Sequence, residues 1–478
     1  MDRRKFLKTG AAAAAVASFD FPALARRVRP SKKSEARLKV GILSDTHVQS
    51  AVTRDRFKKA LNWLKENKVD AVLIAGDLTE NGLIPEYKDM AAAWFEVFPG
   101  DKYPDGTHVE RLFVYGNHEI EGFRYGKAKK LFDEETRLRD AIAPVRERVW
   151  EECWGEKFQP IYMKDVKGYK FIGAQYVRNN IPGLDEFMRS AGKDLPGDKP
   201  FFYFQHMHPK GTCSAPWVWG QDDGSVTEIL SRYPNAVAFS GHSHTPLTDE
   251  RTVWQGAFTS IGTAALHYVI PIGGRENSKV FGTKEEDDVQ MPVLKGGAGH
   301  HGQIMTVYDD RIELERHEFQ NDETLAPVVI PLNGGKPYSF EEREKNEPAP
   351  QFSEGAAVAV GEPRQGKNRR SQPCMQVKVT FPTAVAHDGL PRPLDYEVQV
   401  EEAGVDVFKA VLTKRVYSNT YFLGEKKDAE KPVACLFSVD ELPKEGSYRY
   451  AVRPCNGFGR KGEPIYSEVI TCLSEAEK

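Results

Sequence analysis

Residues 38–47 read Leu-Lys-Val-Gly-Ile-Leu-Ser-Asp-Thr-His. The apolar run Leu38 to Leu43 has the composition of a strand buried on both faces, and it ends in two side chains that bind metals, Asp45 and His47. The pattern recurs four times downstream. Leu73-Ile74-Ala75-Gly76 leads to Asp77, and Phe113-Val114-Tyr115-Gly116 leads to Asn117-His118-Glu119. Phe202-Tyr203-Phe204-Gln205 leads to His206-Met207-His208-Pro209, and Val237-Ala238-Phe239-Ser240-Gly241 leads to His242-Ser243-His244. Ligands of open α/β sheets gather at the carboxyl ends of strands, so five such ends carrying oxygen or imidazole donors can converge on one site. Glycine before Asp77, Asn117 and His242 is expected to let the backbone turn tightly there. A lone His after a strand is ordinarily a hydrogen-bonded core or surface residue, and a lone Gly-Asp is ordinarily a turn. The ordered set of five carries the reading, and six of the twelve histidines fall inside it.

Around these strands the periodicity is helical. Arg54 to Asn67 places Phe57, Ala60, Leu61 and Leu64 on one face. Pro85 opens a second helix, at the position proline tolerates best, running to about Phe98. Further strands are expected at Arg111–Tyr115, Lys170–Tyr176, Phe201–Gln205 and Ala236–Phe239. Ile304–Tyr308 and Ile312–Glu318 flank Asp309-Asp310-Arg311 as a hairpin. Residues 38–332 therefore read as an α/β domain, a sheet core covered by helices. Residues 333–352 are polar and rich in Pro and Gly, a linker composition. Residues 353–478 show strand patterns only: Met375–Phe381, Tyr396–Glu401, Val407–Leu412, Ala434–Val439, Tyr448–Val452 and Tyr466–Cys472. That spacing suggests an all-β sandwich. Glu445 to Val452, with Asn456-Gly457-Phe458-Gly459 after it, resembles the penultimate strand and turn of a fibronectin type III module.

Residues 1–25 begin with Arg3-Arg4, then Lys5-Phe6-Leu7-Lys8, an Ala-rich run, and Ala23-Leu24-Ala25 as a cleavage site. This resembles a bacterial twin-arginine export signal, which implies the twin-arginine export machinery as a partner and a periplasmic or secreted destination. Residues 26–37 follow as a basic leader. Lys and Arg number 66 against 69 Asp and Glu, a formal charge of −3, with 28% charged and 40% hydrophobic residues. The balance excludes a disordered chain and a nucleic-acid binder that relies on bulk positive charge. No stretch reaches the ~20 apolar residues of a helical membrane span. The six cysteines form no C-x-x-C pair, so a thiolate zinc site is not indicated. Disulfides and buried free thiols both stay open.

The ordered set D-x-H, GD, GNHE, H-x-H-P and GH-x-H resembles the calcineurin-like metallophosphoesterase superfamily over roughly residues 38–320. The resemblance implies a four-layer α/β/β/α sandwich. It implies one divalent metal held by Asp45, His47, Asp77 and His244, and another held by Asp77, Asn117, His206 and His242, with Asp77 shared. His118 matches the family's transition-state or leaving-group histidine. Two ions about 3.5–4 Å apart would activate a bridging hydroxide for in-line attack on phosphorus. Two carboxylates among otherwise neutral ligands suit Mn, Fe or Zn better than Ca or Mg. His47 and Glu80 stand where purple acid phosphatases have Gly and Tyr, so an Fe–Tyr site is not expected. The Ser-Asp-x-His and Gly-Asp-Leu-Thr blocks are closer to the cyclic-nucleotide and glycerophosphodiester branch. His208 is the alternative to His206 as ligand. Two long loops, 122–159 with Arg124 and 273–302 ending in His300-His301, could shape specificity. The expected function is exported hydrolysis of a small-molecule or head-group phosphate ester, more readily a diester. The alternative is a metal-containing surface protein without turnover that binds glycan or lipid through its C-terminal β domain.

Overall fold

In this computed structural model β1 (Leu38–Leu43), β2 (Ala71–Ala75) and β3 (Glu110–Val114) run parallel, with β2 between the other two. Residues 35–124, 143–214, 220–270, 289–290, 299–368, 372–384, 393–419 and 431–472 are described. The expected signal at 1–25, most of the leader, and parts of both long loops lie outside them. A second sheet holds β4 (Ile161–Val166), β5 (Tyr169–Ala174), β6 (Phe201–Phe204), β7 (Ala236–Ser240), β8 (Val253–Gln255) and β9 (Thr259–Gly262), in the order β4-β5-β6-β7-β9-β8. After a two-residue strand, β10 (Val289–Gln290), the chain returns to the first sheet as β11 (His301–Val307), β12 (Arg311–Glu318) and β13 (Glu323–Pro331). The first sheet is thus ordered β13-β12-β11-β1-β2-β3.

Side chains alternate across each strand, and the alternation builds three cores. Ala71, Leu73 and Ala75 of β2 join Val40 and Ile42 against Phe171, Phe202, Phe204 and Phe239, so the two sheets share one core. Val72 and Ile74 point the other way, to Phe57, Leu61, Trp94 and Trp150 of the helices α1 (Ala51–Glu66), α2 (Ile84–Val97) and Ala143–Trp154. On the far side of the second sheet, Ile172, Phe201 and Tyr203 pack on the helices Leu184–Ala191 and Ser225–Leu230.

The structure corrects the sequence reading at these four places among others. α1 starts at Ala51 rather than Arg54, because Ser50 caps it: the Thr53 amide donates to Ser50 Oγ at 3.3 Å and the Ser50 amide to Thr53 Oγ1 at 3.0 Å. The stretch 122–159, read as loop, contains the helix Ala143–Trp154, whose Val149, Trp150 and Trp154 are buried. β13 escaped notice because Pro327 demotes its run; the strand lies at the sheet edge, where proline is tolerated. The polar stretch 333–352 holds the helix Phe340–Asn346, capped by Ser339, with Arg343 buried against Glu347 and the Val253 carbonyl.

Beyond it, β14 (Ala359–Val360), β15 (Arg364–Lys367), β16 (Pro373–Phe381), β17 (Asp395–Ala403), β18 (Phe408–Tyr417), β19 (Val433–Ser438), β20 (Gly446–Cys455), β21 (Ile465–Tyr466) and β22 (Ile470–Cys472) form two further sheets. Val379 and Phe437 from one meet Tyr396, Val398 and Tyr450 from the other in a single core. All six cysteines are unpaired; Cys213, Cys435 and Cys455 are buried thiols, and Cys153, Cys374 and Cys472 are partly exposed. No helix among the described residues is long and apolar enough to cross a membrane.

Candidate metal centre

The carboxyl ends of β1, β2 and β3 face those of β6 and β7 across the two sheets, and the strand-end side chains meet there. Asp45, His47, Asp77 and His244 present ligand atoms within 4.8 Å of one another, and so do Asp77, His206 and His242. Asp77 belongs to both groups. Asn117 joins the second: its Oδ1 is 2.9 Å from His206 Nε2, which is 3.1 Å from Asp77 Oδ2 and 3.0 Å from His242 Nδ1. In the first group, His244 Nε2 is 3.1 Å from Asp45 Oδ1 and 3.3 Å from His47 Nε2. All seven residues are brought together, and His208 is not among them. Its two ring nitrogens bond Ser240 Oγ at 2.8 Å and Ser243 Oγ at 2.6 Å inside the second sheet.

The backbone is held in an unusual state to achieve this. Asp45, His47, Asp77, His242 and His244 all have φ between 45° and 69°, a left-handed conformation that costs non-glycine residues roughly 1–3 kcal/mol each and clusters at functional sites. The surrounding hydrogen bonds enforce it. The Asp45 amide donates to the Gly76 carbonyl at 3.0 Å, the His47 amide to the Asp77 carbonyl at 3.1 Å, and the His242 amide to both Asp45 oxygens. Of the three glycines expected to permit tight turns, only Gly76 has a positive φ, at 91°. Gly116 and Gly241 are glycines for space: a Cβ there would overlap Asp77 Oδ1 and Ser44 Oγ respectively.

The donor chemistry fits divalent cations. His206 Nδ1 donates to the Ala75 carbonyl and His244 Nδ1 to the Tyr268 carbonyl, each at 2.8 Å. In the neutral rings both Nε2 atoms therefore carry lone pairs, and both face carboxylate oxygens. Such pairs attract only through a positive charge between them, and backbone-anchored imidazoles of this kind are how proteins orient metal-binding histidines. The electrostatics agree. Burial pulls the His206 pKa down, but Asp77 and then Asp45 outweigh it and raise it to about 9. Burial raises Asp45, yet His244 and His206 bring it down to about 2, and Asp77 is held well below the usual carboxylate range by His206 and His118. The buried Asp/His cluster fits a binuclear metal site.

His118 lies at the rim. Its amide donates to Asp77 Oδ1 at 2.9 Å, and its Nδ1 donates to the Glu80 carbonyl at 2.6 Å, which turns Nε2 to within 4.0 Å of Asp77 Oδ2. Burial opposes its charging, but Asp77 and Glu80 prevail and raise its pKa. Arg124 is exposed, at the end of the turn that follows the helix Asn117–Glu121. Sequence reasoning missed four residues. Glu80 Oε2 is 2.7 Å from His47 Nδ1, off the ring's N–H axis. Glu119 accepts from the Thr79 amide and hydroxyl and from the Gly116 amide, tying the β2 and β3 loops together. His267 and Tyr268 line the site from the segment after β9, with ring centroids 5.3 Å from His47 and 4.5 Å from His244. That segment has no metal-ligand spacing, so only the Glu of the GNHE block carried any signal.

Residues 38–246 match the family described as Calcineurin-like phosphoesterase. All seven clustered residues lie within them, and the chain carries a calcineurin-like phosphoesterase domain. Among curated proteins, a probable cyclic nucleotide phosphodiesterase of Ruthia magnifica subsp. Calyptogena magnifica is 32% identical over 85 residues. The match covers 16% of this chain and 32% of that protein, about a third of the relative's length. Solved structures of similar shape include a dimetal phosphatase from Danio rerio, at 12% identity, 62% and 99% coverage of the two chains and a TM-score of 0.34. Another is a purple acid phosphatase from yellow lupin seeds, at 14% identity, 63% and 54% coverage and a TM-score of 0.38.

Proposed function

We propose that the chain is an exported phosphoesterase with two divalent transition-metal ions, Mn, Fe or Zn, acting on a phosphate ester and more readily on a diester. The observation that carries this is the pair of donor groups sharing Asp77. Asp45, His47, Asp77 and His244 would hold one ion, and Asp77, Asn117, His206 and His242 the other. When bound, such ions polarise the phosphoryl oxygens and supply a water acidic enough to attack. The chain's own residues do the rest. Asp77 keeps a negative charge between the two positions, and the imidazoles around it add none. His118, anchored through Nδ1, offers Nε2 at the rim, where it can give a proton or hydrogen bond to the leaving oxygen. The 32% identity to a probable cyclic nucleotide phosphodiesterase over 85 residues favours the diester.

Three shared cores support an α/β/β/α layering for 38–332, and the single core of the C-terminal sheets supports a sandwich of fibronectin type III character for 353–478. Export rests on Arg3-Arg4 and Ala23-Leu24-Ala25. Purified protein loaded with Mn²⁺ is expected to hydrolyse bis-p-nitrophenyl phosphate faster than p-nitrophenyl phosphate and to leave p-nitrophenyl acetate untouched. No phosphodiester turnover at full metal occupancy would overturn the assignment. Joint Arg3→Lys and Arg4→Lys replacement is expected to keep the precursor in the cytoplasm, and unchanged export would remove that part.

A further inference from the structure

Arg56 stands in the second turn of α1, half-buried, beside the metal centre. Its Nη1 bonds His267 Nδ1 at 2.9 Å and the His267 carbonyl at 2.8 Å. No carboxylate among the described residues forms an ion pair with it. A guanidinium that is partly desolvated and not neutralised is costly, and its charge is available to an anion from outside. The acid of this part of the site, Glu80, lies against His47 rather than in an ion pair with Arg56, with Oε2 2.7 Å from His47 Nδ1.

The contact also fixes His267. A guanidinium has donors only, so Nδ1 must accept and Nε2 must carry the proton. His267 therefore presents an N–H donor, with its ring centroid 5.3 Å from that of His47. The backbone keeps it there: the His267 amide donates to the Asp45 carbonyl at 2.9 Å, and the Ile270 amide to the His244 carbonyl at 2.8 Å. His300 stands close enough to Arg56 to feel its charge, and its buried Nδ1 has no hydrogen-bond partner among the described residues. Burial and then Arg56 push its pKa down to about 4, so it is neutral and adds no charge of its own. Tyr268, 37% exposed, flanks the pair as an aromatic surface. None of these residues is in either metal-donor group.

We infer that Arg56 and His267 form a second oxyanion subsite, one imidazole ring away from the metal centre, which selects phosphate esters carrying a further phosphate group. This rests on the proposed phosphoesterase reading and names its substrate class. The scissile phosphate would occupy the dimetal position. The second phosphate would take the fork of Arg56 and the Nε2–H of His267, geometry suited to bidentate oxyanion binding.

The test compares two substrates with one leaving group: thymidine 5′-(p-nitrophenyl phosphate) and the same molecule bearing a 3′-phosphate. The wild-type enzyme is expected to favour the bisphosphate in kcat/KM, chiefly through KM. Arg56→Gln should erase that preference, a loss of roughly ten- to a hundredfold on the bisphosphate relative to the mono-anion, as expected for hydrogen bonds to charged groups. Arg56→Lys should recover part of it by charge without the fork. Calorimetry with inorganic pyrophosphate on chelator-treated protein gives a readout independent of turnover: binding by wild type, weakened at least tenfold in Arg56→Gln. Equal losses on both substrates, with a lowered melting temperature, would mean that Arg56 only buttresses the His267 segment, and the inference would be overturned. No wild-type preference for the bisphosphate would overturn it too. Pyrophosphate binding without turnover of either ester would instead fail the phosphoesterase reading and leave the subsite standing.

Discussion

The two sheets of the phosphoesterase domain contribute unlike chemistry to one site. Strands β1, β2 and β3 of the first sheet deliver Asp45, His47, Asp77 and Asn117, three oxygen donors and one imidazole. Strands β6 and β7 of the second deliver His206, His242 and His244, imidazoles only. All the formal negative charge of the donor set thus comes from one sheet, and the other completes the coordination without adding to it. The consequence is an asymmetry. Removing a first-sheet carboxylate removes charge that holds cations, whereas removing a second-sheet imidazole removes one neutral ligand.

Asp77→Ala is the severest way to break the arrangement, because that carboxylate is common to both donor groups. Elemental analysis is expected to find neither ion retained after dialysis, with phosphodiester turnover below detection; two ions still bound would refute the shared role. His206→Ala tests the other sheet. Asp45, His47, Asp77 and His244 are untouched, so one ion should stay and the other should be lost. Equal loss of both would show that the two positions cannot fill separately. His118→Ala should spare the metals and cost about 10²–10⁴ in rate on alkyl phosphodiesters, where the leaving oxygen needs a proton. The cost on p-nitrophenyl esters should be much smaller. Identical losses on the two substrates would take His118 out of the chemistry.

The smallest effect concerns Glu86 on the first-sheet side, which accepts from the Asn81 amide and side chain and from the Leu83 amide. Burial raises its pKa to about 7. The folded carboxyl keeps a proton that the unfolded chain has released above about 4.5, so the protein loses stability as pH rises from about 4.5 through 7. Glu86→Gln does not titrate. Its stability relative to wild type should therefore be better at pH 8 than at pH 5, by about 2–3 kcal/mol. Comparing the two pH values cancels the altered hydrogen bonds. Denaturant melts giving the same difference at both would show that Glu86 is ionised throughout.

Much of this was legible from local pattern. Continuous apolar runs ending in Asp, Asn or His mark strands and ligands at once, since both signals lie within ten residues. Pro85 marked the start of α2 for the same reason. What escaped was whatever depended on partners far along the chain. Ser50 and Thr53 read as ordinary polar residues until their reciprocal bonds are seen. Trp150 and Trp154 sit in a charged stretch and become core only against α2 and β3. His206 and His208 have almost the same local surroundings, and the choice between them falls to Ser240 and Ser243, which satisfy both nitrogens of His208.

The sequence by itself therefore marked the strand ends that carry candidate donors, with His206 and His208 both open, and an α/β region followed by strand patterns, because alternation, apolar runs and turn residues act over a few positions. Only the tertiary structure decided that His206 rather than His208 joins the cluster, that five of the clustered residues take left-handed backbone conformations, and that Arg56 and His267 stand beside them. Those facts arise where the ends of two separate sheets are pressed together by a common apolar core. Residues 31 to 211 positions apart become neighbours there for reasons of packing that no short stretch of sequence contains.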